Sequence, residues 1–326
     1  MFELGRIEAT REHLFADTLE TSIAFGAEET ISLTDSIGLL NSSPKSQDEL
    51  LNAEDEDLDD NDFPDDLGEP EISGRLQGYA ENAFRHMEYR SAILGDAYPF
   101  EIKAEVLSLR PVLSASHKLY LLLLACARTR SFRSTKGMTQ RIADCFEEIS
   151  AECLRVMISP HGKVYMFGPS SDDRKNIFGS ALATALPVLA RKMGMDMAPR
   201  WAAPAGASGD GKIDIIGVYD FGDTAQGYKV VVGQCASMED EKNWQKKRQE
   251  ADLATKTGTF HFLVCPTPTL FFPSFYRSSN GDWINPDMVS GVIPIDRYRI
   301  LKTISHIGEG FEVDPYFEKL GLQLTA

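Results

Sequence analysis

The chain has no run of about 18 consecutive apolar residues, so no segment is long enough to read as a membrane span. Its nearest approach, Leu119 to Ala127, is short and flanked by charge. The first residues, Met1-Phe2-Glu3-Leu4-Gly5, lack the basic start and apolar core of a secretory signal. Cysteine is sparse: Cys126, Cys145, Cys153, Cys235 and Cys265 are odd in number, sit in apolar settings and have no zinc spacing. That pattern argues against a disulfide framework and predicts reduced core thiols in a cytoplasmic protein. His117, His161 and His261 likewise have no partner at ligand spacing. Ser150 and Ser170 lack the strand–turn–helix setting of a hydrolase nucleophile. Gly206, Gly211 and Lys212 approach the spacing of a phosphate loop, but Ile213 stands where a magnesium-binding hydroxyl belongs, and a strand pattern follows where that loop opens a helix. There is no internal repeat.

What the chain does have is apolar mass and one very uneven charge distribution. Its 326 residues are 43% apolar and 10% aromatic, enough for one large or two ordinary domains. Net charge is −16, which at first argues against a nucleic-acid partner. Yet 13 acids and no Lys or Arg lie between Asp48 and Glu71, and the rest of the chain carries only −3. The acidity is local, so DNA is not excluded. Residues 41–73 cannot bury enough apolar surface to offset their ordering entropy and are expected to form an acidic disordered linker. Such a segment is either plainly solvated or lies over a DNA groove as a mimic of phosphate. Before it, residues 1–40 form an N-terminal segment whose short helical and strand-like pieces the periodicity does not place. After it, residues 74–137 are expected to be a helical accessory region. There Arg128, Arg130, Arg133 and Lys136, with Phe132 among them, form either a phosphate-backbone contact or an exposed loop.

Helices are expected over Arg75–Arg90, Lys118–Thr129 and Thr139–Met157. In the last of these Ile142, Cys145, Phe146, Ile149, Cys153 and Met157 recur at helical spacing. A further helix is expected over Asp172–Met193, ending at Gly194 and carrying Pro187. Glu105–Arg110 reads as extended. Two apolar strands follow, one after Lys212 and one ending the Val230-Val231-Val232 run, then a charged helix over Asp240–Thr255 and a strand over Thr259–Cys265. Phe271–Tyr276 and Gly291–Ile295 read as edge strands or extended loops, and Arg297–Ile307 as the last helix. The order is that of a mixed α/β domain with a central sheet.

The chemistry concentrates at the two apolar strands. A carboxylate among isoleucines, Asp214, costs several kcal/mol to bury unless it is paired or binds a metal. Side chains alternate along a strand, so Asp214 shares a face with Ile216, and Gln234 shares one with Val230 and Val232, while Cys235 points the other way. A hairpin can set Asp214 beside Gln234 at one sheet end, where two oxygen ligands, backbone carbonyls and water suit an octahedral Mg²⁺. The alternative for Asp214 is an ordinary pairing with Lys212 or Arg277, and for Gln234 a satisfied buried amide. Asp210, in a Gly-Asp-Gly loop, reads as a turn residue or an outer acid.

These residues resemble the PD-(D/E)XK nuclease superfamily, the restriction-endonuclease-like fold: Asp214, then Gln234-Cys235-Ala236 at the end of the next strand, across roughly Met138 to Val264. The resemblance implies an αβββαβ core with a mixed central sheet, here within 138–326 and preceded by extra N-terminal helices. It implies Asp214 and Gln234 as ligands of Mg²⁺ or Mn²⁺, and Phe146-Glu147 implies a third, helix-borne ligand in Glu147, with Glu148 its neighbour. The family's Lys position is Ala236, so the amine is expected from the following helix: Lys247, one turn beyond Trp244, ahead of Lys242 and Lys246. The implied activity is metal-dependent hydrolysis of DNA phosphodiesters; RNA in place of DNA is a separate alternative. Asn243-Trp244-x-x-Lys247, Phe262–Pro266 and Asp296-Arg297 also resemble bacterial proteins linked to anti-phage defence, which implies a protein partner in a multi-subunit complex. The rival expectation is a catalytically inactive nuclease-fold module that binds protein or nucleic acid.

Overall fold

The computed structural model describes residues 2–4, 7–42, 69–132, 136–202, 211–223, 225–237, 241–305 and 311–325; side chains at 42, 69–72, 241–243, 254 and 255 are not described. The chain forms two compact units, one of residues 1–139, 275–284 and 313–326, the other of 140–274 and 285–312. Residues 275–284 and 313–326, which the sequence places within 138–326, therefore pack with the first unit. No helix among the described residues is long and apolar enough to cross a membrane.

In the first unit, α1 (Glu12–Phe25), β1 (Thr30–Ser32) and α2 (Leu33–Ser42) fill the stretch that periodicity left unplaced. Then come α3 (Glu69–Leu94), the hairpin β2 (Phe100–Lys103) and β3 (Val106–Leu109), and α4 (Ala115–Ala127). α3 starts inside the expected acidic linker, whose residues 43–68 lie outside those described. The strands form an antiparallel sheet in the order β1-β3-β2. α4 opens on a capping box in which His117 takes the place usual for Glu: Ser114 Oγ accepts from His117 N–H, and His117 Nδ1 accepts from Ser114 N–H. The core of this unit holds Arg90, fully buried. Its guanidinium donates to Asp17 (2.7 Å), Glu20 (2.8 Å), the His13 carbonyl (2.8 Å) and His86 Nδ1 (3.0 Å). Tyr98 and Tyr120 complete the shell by donating to Glu20. Burial, joined by the Arg90 charge, pushes His86 well below the ordinary histidine value. Arg128 is also buried, which removes it from the suggested phosphate contact; Arg133 lies outside the described residues, and Lys136 is exposed.

The second unit opens with α5 (Met138–Ile158) and β4 (Gly162–Met166). The expected apolar stripe is buried from Ile142 to Cys153, with Leu154 and Ile158 added, whereas Met157 is exposed. The helix expected over Asp172–Met193 is broken. A π turn at Arg174–Phe178 ends at Gly179, whose φ of +90° favours glycine, and α6 is confined to Leu182–Lys192. β5 (Asp196–Met197), β6 (Ile215–Tyr219), β7 (Lys229–Cys235) and α7 (Glu241–Ala251) follow. The expected Thr259–Cys265 strand is reduced to β8 (Phe260–His261), which pairs only with β5. The strand that joins the main sheet is β9 (Thr267–Phe271), beyond Pro266 and containing Pro268. β10 (Ile293–Ile295) and α8 (Arg297–Ser305) complete the unit, and α8 is not the last helix, since Asp314–Leu320 is helical too.

The main sheet has the order β10-β9-β7-β6-β4. β4, β6 and β7 form an antiparallel meander, and β9 and β10 add in parallel to β7. Ile216, Val218, Val230 and Val232 project from one face into a cluster with Leu182, Leu186 and Leu189 of α6. Of the five cysteines four are buried and Cys265 is exposed, a correction to the expectation that all are core thiols.

Candidate active site

The β6–β7 register pairs Ile215 with Gly233, and one step further along it brings Asp214 towards Gln234 at the sheet end. Asp214 is held on both sides by backbone. Its carbonyl accepts from Phe167 N–H at 2.7 Å, and its carboxylate Oδ2 accepts from Cys235 N–H at 2.8 Å. Gln234 is fully buried. Its Nε2 donates to the Lys212 carbonyl at 2.9 Å.

Lys247 closes the group. Its Nζ donates to Asp214 Oδ2 at 3.0 Å and to Gln234 Oε1 at 3.1 Å, so one ammonium addresses both oxygens. α7 presents it there because Trp244, one turn earlier, is buried and stacked on Phe272 with ring centroids 4.7 Å apart. Burial works against the Lys247 charge, but the attraction and hydrogen bond of Asp214 outweigh it, and the ammonium is held above the ordinary lysine value.

Glu147 is half-buried on α5. Its Oε2 passes over Gly168, 2.9 Å from where a Cβ would stand, so a larger residue there would push the carboxylate aside. Burial drives the Cys235 thiol well above its usual range, with Asp214 and then Glu147 adding to the shift.

Asp214, Gln234 and Lys247, three residues singled out from the sequence, are thus joined through the Lys247 ammonium, whereas Glu147 is placed only against Gly168, next to the Phe167 that bonds the Asp214 carbonyl. Asp214 is paired with Lys247 rather than with Lys212, whose Nζ lies 3.7 Å from Glu250. Lys246 is exposed; Asp210 and the Lys242 side chain lie outside the described residues. Sequence reasoning passed over Lys256, whose Nζ donates to the carbonyls of Lys212 (2.6 Å) and Glu250 (3.1 Å). No side-chain motif marks it, because these two acceptors are backbone carbonyls.

Among the described residues, no group of three or more His, Cys, Asp or Glu is gathered as a metal-holding cluster. The oxygens joined by Lys247 are one buried carboxylate and one amide oxygen, with Glu147 placed against Gly168. No family model, curated protein or solved structure matches the chain.

Proposed function

We propose that the second unit has a restriction-endonuclease-like core and hydrolyses DNA phosphodiesters with the help of Mg²⁺ or Mn²⁺. Two features support the core. With α6 and β5 inserted between β4 and β6, and β8 before β9, the order α5-β4-β6-β7-α7-β9 is α, three antiparallel strands, α, then a strand parallel to the third. The polar group stands at the end of the middle strands, where that fold has its site. The single observation that carries the activity is the Lys247 ammonium within 3.1 Å of both Asp214 Oδ2 and Gln234 Oε1.

The residues fit a divalent ion. Asp214 and Gln234 already turn their oxygens on one positive centre, and hard oxygen donors with few carboxylates suit Mg²⁺, which leaves positions for water and substrate phosphate. Asp214, Gln234 and Glu147 would hold it. A divalent ion supplies, when bound, Lewis acidity towards the phosphate and a lowered pKa for water. The chain's own groups do the rest. Cys235 N–H fixes the Asp214 carboxylate, Gln234 presents its oxygen, and Lys247 keeps a positive charge where negative charge grows on the phosphate. Ala236 has no amine to offer, so α7 provides it.

The test is incubation with plasmid, linear DNA and RNA in Mg²⁺, Mn²⁺ or EDTA. Metal-dependent cleavage that Asp214→Ala abolishes is the expected result. Ala236, which puts no amine at the family's lysine position, favours the second reading, an inactive nuclease-fold module that binds a partner. DNA binding without cleavage in either metal would establish that reading and sink the first.

A further inference from the structure

Building on the nuclease reading, we propose that Lys256 is a positioning residue for this site, stapling the peptide before Asp214 to the helix end after Lys247 and turning the Gln234 amide oxygen towards the reacting centre. Lys256 ends a short 3-10 turn, Leu253–Lys256. Its ammonium donates to the carbonyl of Lys212, two residues before Asp214, and to that of Glu250, three residues after Lys247. These are the two segments that must be in register for Asp214 and Lys247 to meet.

The Lys212 peptide is held in an unusual way. Lys212 has φ +63° and follows Gly211 at +62°, a left-handed pair in which the lysine is the costly member. A residue persists there when its surroundings over-determine it, and such positions gather at functional sites. Here the Lys212 carbonyl oxygen takes two donors, Lys256 Nζ and Gln234 Nε2. That second bond decides which way the Gln234 amide faces. An acceptor-only carbonyl on one side and a donor-only ammonium, Lys247, on the other admit a single orientation, with nitrogen to Lys212 and oxygen to the site. Without Lys256 the carbonyl loses its charged anchor, and with it the amide loses its fixed partner.

The experiment uses the full chain with ¹⁵N-labelled glutamine, as wild type, Lys256→Met and Lys256→Arg, with Gln234→Asn to assign the side-chain signal. Lys256→Gln, which can still donate to one carbonyl, stands in should the methionine form fail to fold. In Lys256→Met the Gln234 side-chain amide is expected to shift and exchange faster, and kcat on DNA with Mg²⁺ to fall by about 10- to 100-fold at unchanged KM. Lys256→Arg, which can reach both carbonyls, is expected to restore both. A Gln234 signal indifferent to Lys256→Met overturns the proposal whatever the DNA assay gives, as does an unchanged kcat in a chain whose wild type cuts DNA. A wild type inert on DNA, with a Gln234 signal that does respond, overturns the nuclease reading and supports the staple.

Discussion

Asp214 is 2% exposed and Lys247 30% exposed, so their ion pair is sheltered well beyond a surface salt bridge. Cutting such a pair on one side is worse than removing it, because the survivor keeps its desolvation cost. Lys247→Met removes the ammonium that pairs with the carboxylate and is expected to lower stability by about 3 kcal/mol. Asp214→Asn added to it should recover much of that loss, giving a coupling energy of about 1–3 kcal/mol in a double-mutant cycle read from urea midpoints. Strict additivity would mean that the pair carries no energy. The pH dependence has a definite sign. The folded Lys247 value lies above the ordinary 10.5, so the contribution is intact below that pH and fades as pH climbs through the raised value. Midpoints taken from pH 9 upward should therefore fall more steeply for wild type than for Lys247→Met. These residues were legible in the sequence because each announces itself locally: a carboxylate among isoleucines, an amide closing a valine run, a lysine one turn past a tryptophan. Lys256 was not, since its role lies in a backbone oxygen 44 residues away.

An element places a functional side chain only as firmly as it is itself anchored. α7 is pinned to the sheet by Trp244, 1% exposed on Phe272, and to the turn Pro286–Val289 by Arg248, which donates to the Asp287 carbonyl and, at 2.8 Å, to Ser290 Oγ. Trp244→Ala removes the first anchor and is expected to cost about 3–5 kcal/mol and most of the DNA cleavage, although Trp244 is not one of the proposed ligands. Trp244→Phe keeps a stacking ring and should retain cleavage within a few-fold; equal loss in both would mean that the stack does not place Lys247. Elements with one clear period were readable: the α5 stripe, the β6–β7 pair, the charged face of α7. Those governed by punctuation were not. Pro266 and Pro268 mask β9 as a loop, because proline argues against a sheet interior, yet Pro268 sits near the start of the strand. Gly179 ends a turn that composition alone continues as helix, and Asp314–Leu320 is too short to stand out.

At the scale of the whole molecule, charge opposes the proposed substrate. A chain of net charge −16 repels DNA over distances set by the Debye length, about 8 Å at physiological ionic strength, and slows encounter before any contact forms. The repulsion comes mostly from Asp48 to Glu71, whose 13 acids account for all but −3 of the total. Replacing those acids with Asn and Gln leaves every residue of the candidate site in place. Association with DNA should then quicken by about tenfold or more at low salt, the range in which steering acts, and the gain should vanish at about 0.5 M salt, where the field is screened. Cleavage of bound DNA under single-turnover conditions should be unchanged. Stopped-flow binding at two ionic strengths separates the possibilities. No gain at either salt would mean that DNA is not what this charge acts upon.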